Sequence, residues 1–462
     1  MTSRRQLFLA FALTAAVGVA GCSTVSRLNP FKGSDGPKET ATEGQRISII
    51  PSDEVLTPAE ALKGVDFALP PVTTQVDWPL PGGTQEQSVE NVDAGKGLAV
   101  VWRRGIGQGT TKAAHVTAPP VAAAGRIYTM DAEADVSAHD ARTGAELWRA
   151  NLRPTENRRD REGFGGGVAF ADGKLYVTSG FRFVAAVDAA TGKLLWRTRT
   201  EEPIHAAPTV AQGRVMTVAL DNSLLTFDAA TGAPGWTYQA LSESARILSA
   251  SSPAVSGDTV VGSFGSGEIV ALRLSNGNDL WDEALSRASR TSSLSEIRDV
   301  PGRPVIYRGD VYAVSHSGVF AATDMRTGQA RWTLPVVGIT TPLPAGDVVY
   351  VVSKTGQVIC ASRETGQIFW IRDLNQGYVG PKRGGILGIG GSRVQRPIWS
   401  SPLLSNNRLL VVGSSGQLAA INAKTGEIER RIELGAPALL SPIAAGDTVY
   451  VLTDTAELIA FR

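Results

Sequence analysis

The sequence predicts an all-β fold, an eight-bladed β-propeller of four-stranded antiparallel blades. Three observations predict it: a Thr-Gly-x-x-x-Trp signature that recurs along the chain, short Val/Ile/Tyr-rich strands parted by turn residues, and an excess of glycine. Glycine supplies 50 of the 462 residues without a collagen period, which points to many tight turns and so to many short strands. A chain of this length exceeds one ordinary core and suits one large propeller or two to three domains.

The signature comes first, because an internal repeat decides the architecture. It reads Thr143-Gly144 with Trp148, Thr191-Gly192 with Trp196, Thr231-Gly232 with Trp236, Asn276-Gly277 with Trp281, Thr327-Gly328 with Trp332 and Thr365-Gly366 with Trp370. A degenerate copy at Thr425-Gly426 carries Arg430 in the Trp position. The steps between these glycines run from 38 to 60 residues, the period of a four-stranded blade.

The turn before each Trp strand has its own chemistry. Asp140, Asp188, Asp228, Asp324 and Asn422 stand four residues before the glycine, where a side-chain oxygen accepts backbone hydrogens of the turn. The glycine supplies positive φ without steric cost. Arg273 and Ser362 depart from this pattern. The Trp closes the outer strand and is expected to dock against the neighbouring blade, which makes Trp102, Trp148, Trp196, Trp236, Trp281, Trp332 and Trp370 the blade-docking set.

Upstream halves of the unit start near Pro120, Gly167, Pro208, Pro253, Pro304, Pro342, Pro402 and Pro442, which makes eight. The last unit stops at Phe461-Arg462, one strand short. Leu98 to Arg103 has the strand-Trp-Arg look of Leu195-Trp196-Arg197. The N-terminal strand is therefore expected to complete the last blade, closing the ring and removing open sheet edges. Seven blades, with this strand as a linker, is the rival arrangement.

Before the propeller, residues 1–21 have the layout of a secretory signal: Arg4 and Arg5, an apolar run from Leu7 to Val19, then Val19-Ala20-Gly21-Cys22. The apolar run is short for a membrane span. The last four residues resemble the lipobox of bacterial lipoproteins, which implies lipid attachment at Cys22, and Ser23 after it implies sorting to the outer membrane. Residues 22–65 are rich in Ser, Thr, Pro, Gly and charge and read as a flexible tether. Residues 66–97, with Val76, Trp78 and Leu80, read as an extended segment packing on the body formed by 98–462.

Several chemistries find no support. A net charge of +1 gives no footprint for nucleic acid. With Cys22 consumed by lipid, Cys360 has no partner for a disulfide and reads as a buried apolar side chain. His115, His139, His205 and His316 are scattered without metal-ligand spacing, so no metal is expected. No G-x-S-x-G elbow occurs, and Gly105-Ile106-Gly107-Gln108-Gly109 opens no helix that would cradle phosphate. The glycine-rich basic stretches 158–167 and 377–396 read as inter-blade loops.

The Asp-x-x-Thr-Gly-x-x-x-Trp repeat resembles that of the quinoprotein-type propellers. Joined to the lipobox and to the stretch from Ser289 to Val300 followed by Arg303-Pro304-Val305-Ile306, it is similar to the BamB family of propeller lipoproteins of the outer-membrane β-barrel assembly machinery. The resemblance implies a non-catalytic scaffold without cofactor, anchored by lipid to the outer membrane and facing the periplasm. Its partners would be the periplasmic domains of BamA, the other lipoproteins of the machinery and unfolded outer-membrane proteins. It places the partner contacts at Arg246, Ile247 and Leu248 in one loop, and at Arg290, Leu294, Ile297, Arg298 and Asp299 in the next. Pro301 stands where enteric members carry a second acidic residue. The alternative is a periplasmic quinoprotein dehydrogenase or a degenerate ligand-binding relative, although the chain has no vicinal cysteine pair.

Overall fold

Eight four-stranded antiparallel sheets account for nearly all the regular structure of the described residues, and one short 3-10 turn at Glu60–Leu62 is the exception. The computed structural model describes residues 56–154, 163–241, 251–286, 297–379 and 396–462. Cys22, the expected signal and the expected tether up to residue 55 lie outside them.

Blade one runs outward as Val121–Ala123, Arg126–Met130, Asp135–Asp140 and Glu146–Asn151. The other blades repeat it. Burial follows position in the blade. The third strand of blade two, Phe183–Asp188, is buried along all but its last residue because both its faces meet neighbouring sheets. The outer strand Leu194–Arg199 alternates exposed and half-buried residues, since only one of its faces is covered.

The N-terminal strand Val100–Gly105 pairs antiparallel with Glu457–Phe461 and becomes the fourth strand of blade eight. Trp102 there meets Tyr450 with ring centroids 5.8 Å apart. The same Tyr–Trp contact recurs within other blades, Tyr176 with Trp196 at 6.2 Å and Tyr350 with Trp370 at 5.9 Å. Closure is therefore made by the same packing unit as the rest of the ring.

Between blades the joint is a Trp laid on a glycine. A Cβ on Gly192 would stand 2.5 Å from the Trp148 ring, and one on Gly426 2.6 Å from Trp370. Gly192 also has φ +74°, so the position needs glycine for conformation and for space. The indole then donates into the next turn: Trp148 Nε1 to Ala189 O at 3.0 Å, Trp236 Nε1 to Leu274 O at 2.9 Å and Trp281 Nε1 to Met325 O at 2.7 Å. Trp102 and Trp370 sit alike, but Tyr450 and Tyr350 donate to the corresponding carbonyls of Ala141 and Ala423.

Residues 66–97 form a strap over the face that carries the turns between first and second strands. It hydrogen-bonds to every blade. Trp78 and Ala122 exchange N–H···O bonds of 2.6 and 2.8 Å in blade one. Phe170 N–H donates to Pro79 O at 2.7 Å in blade two, and Gln85 Nε2 donates to Val210 O at 3.2 Å in blade three. Val255 N–H meets Gln85 O at 2.7 Å in blade four and Ile306 N–H meets Glu86 O at 2.9 Å in blade five. Asp347 N–H to Ala68 O (3.2 Å), Val92 N–H to Leu404 O (3.1 Å) and Gly446 N–H to Gln75 O (2.8 Å) complete blades six to eight. Inner strands expose backbone groups toward the axis, and these bonds satisfy part of that edge. Trp78 and Leu80 are buried, whereas Val76 faces solvent.

Candidate partner-binding face

Each blade ends on the face opposite the strap. There the connection from an outer strand to the next inner strand lies beside the turn between second and third strands. Residues on such connections are presented by a rigid scaffold, which favours binding with little reorganisation.

The two loops singled out in the sequence fall in connections whose described ends lie on this face. Arg246, Ile247 and Leu248 belong to the connection between blades three and four but lie outside the described residues, as do Arg290 and Leu294 in the following connection. Ile297, Arg298 and Asp299 are described. Ile297 is half-buried and Arg298 is exposed. Asp299 is only 6% exposed. Its carbonyl accepts the His316 N–H at 2.8 Å, and Val300 N–H donates to Phe264 O at 3.2 Å. Arg298 closes so tightly on Gly267, φ +90°, that a Cβ there would meet the Arg298 Cβ at 2.7 Å and its carbonyl oxygen at 2.9 Å. The connection is thus seated on the turns of blades four and five, with Arg298 outward and Asp299 inward. Asp299 lines a cavity of about 30 Å³ with His205, Asn222, Ser251 and Ser263, from blades three to five.

The same face carries apolar side chains that the sequence reading does not single out. Leu241 is 70% and Val379 92% exposed, and Val337, Tyr378 and Leu439 are exposed as well. Each follows the end of an outer strand, in the connections after blades three, five, six and seven. Their signal in the sequence is position alone, an apolar residue just past the Trp strand where turn residues would be expected. Scattered exposed apolar residues are ordinary; these five share one face and one type of segment.

Three titratable groups, one of them on this face, are engaged in packing. His316 Nε2 lies 2.7 Å from Lys354 Nζ, and burial first, then the Lys354 charge, lowers its pKa, so the ring is neutral at pH 7 and accepts from the ammonium. His139 is buried against Ser137 Oγ at 2.9 Å and its pKa is lowered by burial. Cys360 is fully buried opposite Tyr350, and burial pushes its thiol pKa well up. Among the described residues no group of three or more His, Cys, Asp or Glu is placed to hold a metal ion, and no helix is long and apolar enough to cross a membrane.

On the axis the strap fills the space between the blades. Gln87 reaches in to donate to Thr209 Oγ1 at 3.1 Å and to Pro253 O at 3.0 Å. Trp78 and Val89 lie beside it, and a cavity of about 40 Å³ is left among them and the starts of the inner strands.

Comparison with known proteins agrees with this architecture. The family model described as outer membrane protein assembly factor BamB matches residues 85–153, 132–372 and 383–462. The BamB of Burkholderia pseudomallei is 25% identical over 366 residues, 78% of this chain and 87% of that protein. The BamB of Moranella endobia is 24% identical over 251 residues, 54% of this chain, and the match spans only 60% of that relative's length. Among solved structures, BamB from Moraxella catarrhalis superposes with a TM-score of 0.65 at 18% identity, covering 79% of this chain and 99% of that one. The quinohemoprotein alcohol dehydrogenase from Comamonas testosteroni gives 0.63 at 16% identity, covering 83% and 80%; likeness at this identity speaks for the fold alone. With the family model matched across nearly the whole propeller, the chain belongs to the BamB family of outer membrane protein assembly factors.

Proposed function

We propose that this chain is a scaffold of the outer-membrane β-barrel assembly machinery that acts by binding and not by catalysis. It is held to the outer membrane by lipid on Cys22 and faces the periplasm. Its connection face takes the periplasmic domains of BamA, with the other lipoproteins of the machinery alongside. The observation that carries the reading is the asymmetry of the two faces. One is covered by the chain's own strap, which bonds to all eight blades. The other presents Arg298 and the exposed Leu241, Val337, Tyr378 and Val379 on seated connections. Arginine with apolar anchors is the side-chain mixture that dominates binding hot spots. Family membership supplies the assembly role. The axis, where a propeller enzyme would seat a cofactor, is occupied by Trp78, Gln87 and Val89.

Affinity co-purification from detergent-solubilised membranes tests the reading. The natural chain should bring down a barrel protein with periplasmic domains, and a folded Arg246→Ala/Arg298→Ala variant should lose it. Recovery by both would leave the role and remove the site. Absence of any barrel protein would remove the role. Cys22→Ser should release the chain from the membrane fraction; retention there would refute the lipid anchor.

A further inference from the structure

Arg303, at the axis, meets no counter-ion among the described residues. Arg303 precedes the inner strand of blade five, Val305–Tyr307. Its backbone N–H donates to Thr341 Oγ1 at 3.1 Å. Its Nε is buried without a hydrogen-bond partner, and no ion pair of Arg303 occurs among the described residues. Arg303 lines the axial cavity of about 40 Å³ with Trp78, Gln87, Thr341, Ser401 and Ser441, and among the described residues no Asp or Glu lines it. Burial pulls its pKa down to about 10, still far above neutrality, so the charge is present at pH 7.

Arg303 is half-buried with its Nε fully enclosed, and even a partly desolvated charge is costly unless it is paired. Elsewhere in the molecule arginines near the blade edges meet acids: Arg331 reaches Asp310 and Asp324, and Arg103 reaches Glu457. The cavity that Arg303 lines is instead bordered by the hydroxyl residues Thr341, Ser401 and Ser441, whose side chains both donate and accept. A second orphan lies in the same cavity, Gln87 Oε1, buried and unbonded. A lone water would join that acceptor to Arg303 Nε but would leave the charge uncompensated.

We propose that Arg303 and the hydroxyls around it form an axial oxyanion site, which takes one carboxylate- or phosphate-type group with a water bridging to Gln87 Oε1. The cavity holds a few water-sized groups at most, which suits a single headgroup. That headgroup comes from a free ion or from an acidic side chain of a docking peptide.

Thermal unfolding of the full detergent-solubilised chain tests this at constant ionic strength. The ligands are inorganic phosphate, acetate, and a capped glutamate tripeptide against its glutamine counterpart, all at low millimolar concentration. A saturable rise in midpoint is expected, on the order of 2 °C at ten times half-saturation. Response to the ions alone assigns a free ion; response to the glutamate but not the glutamine peptide assigns a side-chain carboxylate. Arg303→Met, which keeps the aliphatic stem, should abolish the response without lowering the ligand-free midpoint, and Arg303→Lys should keep a weaker one. A flat response in the natural chain, or an equal one in Arg303→Met, overturns the site. Should Arg303→Met fail to fold, calorimetric titration of the natural chain with phosphate decides, and absence of binding heat overturns it.

Discussion

At Asp140, Asp188, Asp228 and Asp324 one carboxylate oxygen accepts both the N–H and the hydroxyl of the Thr three residues on, at 2.7 to 3.0 Å. The Thr hydroxyl is the largest cause holding these carboxyls below their ordinary pKa. A depressed acid contributes stability above its unfolded pKa, about 4, and loses it as pH falls through the folded value. The contribution of these four turns to the urea midpoint should therefore be constant above pH ~5 and fall below pH ~4. Asp188→Asn should flatten that fall, since Asn422 makes the same turn with bonds of 3.0 and 3.1 Å and no charge. Asp454 acts in the opposite sense: burial pushes its pKa up to about 6, so its ionisation costs stability as pH rises through that value. Asp454→Asn should raise the melting temperature at pH 7 and leave it unchanged at pH 4; equal shifts at both would contradict this. Departures from the repeat also have local reasons. Arg273 takes the place of the turn acid, and Asp258 from the preceding turn accepts Ser275 N–H at 3.0 Å instead. Arg430 replaces Trp opposite Ala420 because the next blade has no Thr-Gly turn to receive an indole; its Nη1 donates to Gly97 O at 2.8 Å, at the seam of the ring.

The blade was legible because its local chemistry repeats: a capped turn, a glycine with φ above +70°, a Trp that lands on the next glycine. Gly192→Ala meets both constraints at once, and a loss of about 2 kcal/mol or more is expected in chemical denaturation. Gly213→Ala, in a turn with φ +72° and open space around it, should cost only about 1 kcal/mol. The strap was legible only in part. Its bonds to the blades use mainly backbone groups, which leave no side-chain pattern. Trp78 and Leu80 announce burial by type, but nothing in the sequence tells that Val76 turns to solvent. Trp78 is 5% exposed on the axis, and Trp78→Ala should cost roughly 3–5 kcal/mol if the strap is integral to the fold. A loss below about 1 kcal/mol would mean that the strap is a loosely held cover.

Over the whole molecule, ring closure followed from a missing strand at one end and a spare one at the other, and Val100–Gly105 against Glu457–Phe461 joins them. Eight blades, against the rival seven, rest on that pairing. The proposed binding face was less legible. The resemblance located two loops, but whether a residue points outward depends on how a connection settles on neighbouring turns. So Arg298 and Asp299, adjacent in sequence, differ in exposure. The apolar residues after the outer strands escaped notice because the connections differ in length and composition and repeat nothing. The central claim, recognition confined to the face opposite the strap, is tested most directly by site-specific photo-crosslinking in cells. The photoreactive residue would replace Leu241, Arg298 or Val379 on the connection face, and Val65 or Val76 on the strap side. Crosslinks to a barrel protein's periplasmic domains from the first set, with none from the second, are the predicted result. Crosslinks from Val65 or Val76, or from neither set, would contradict it.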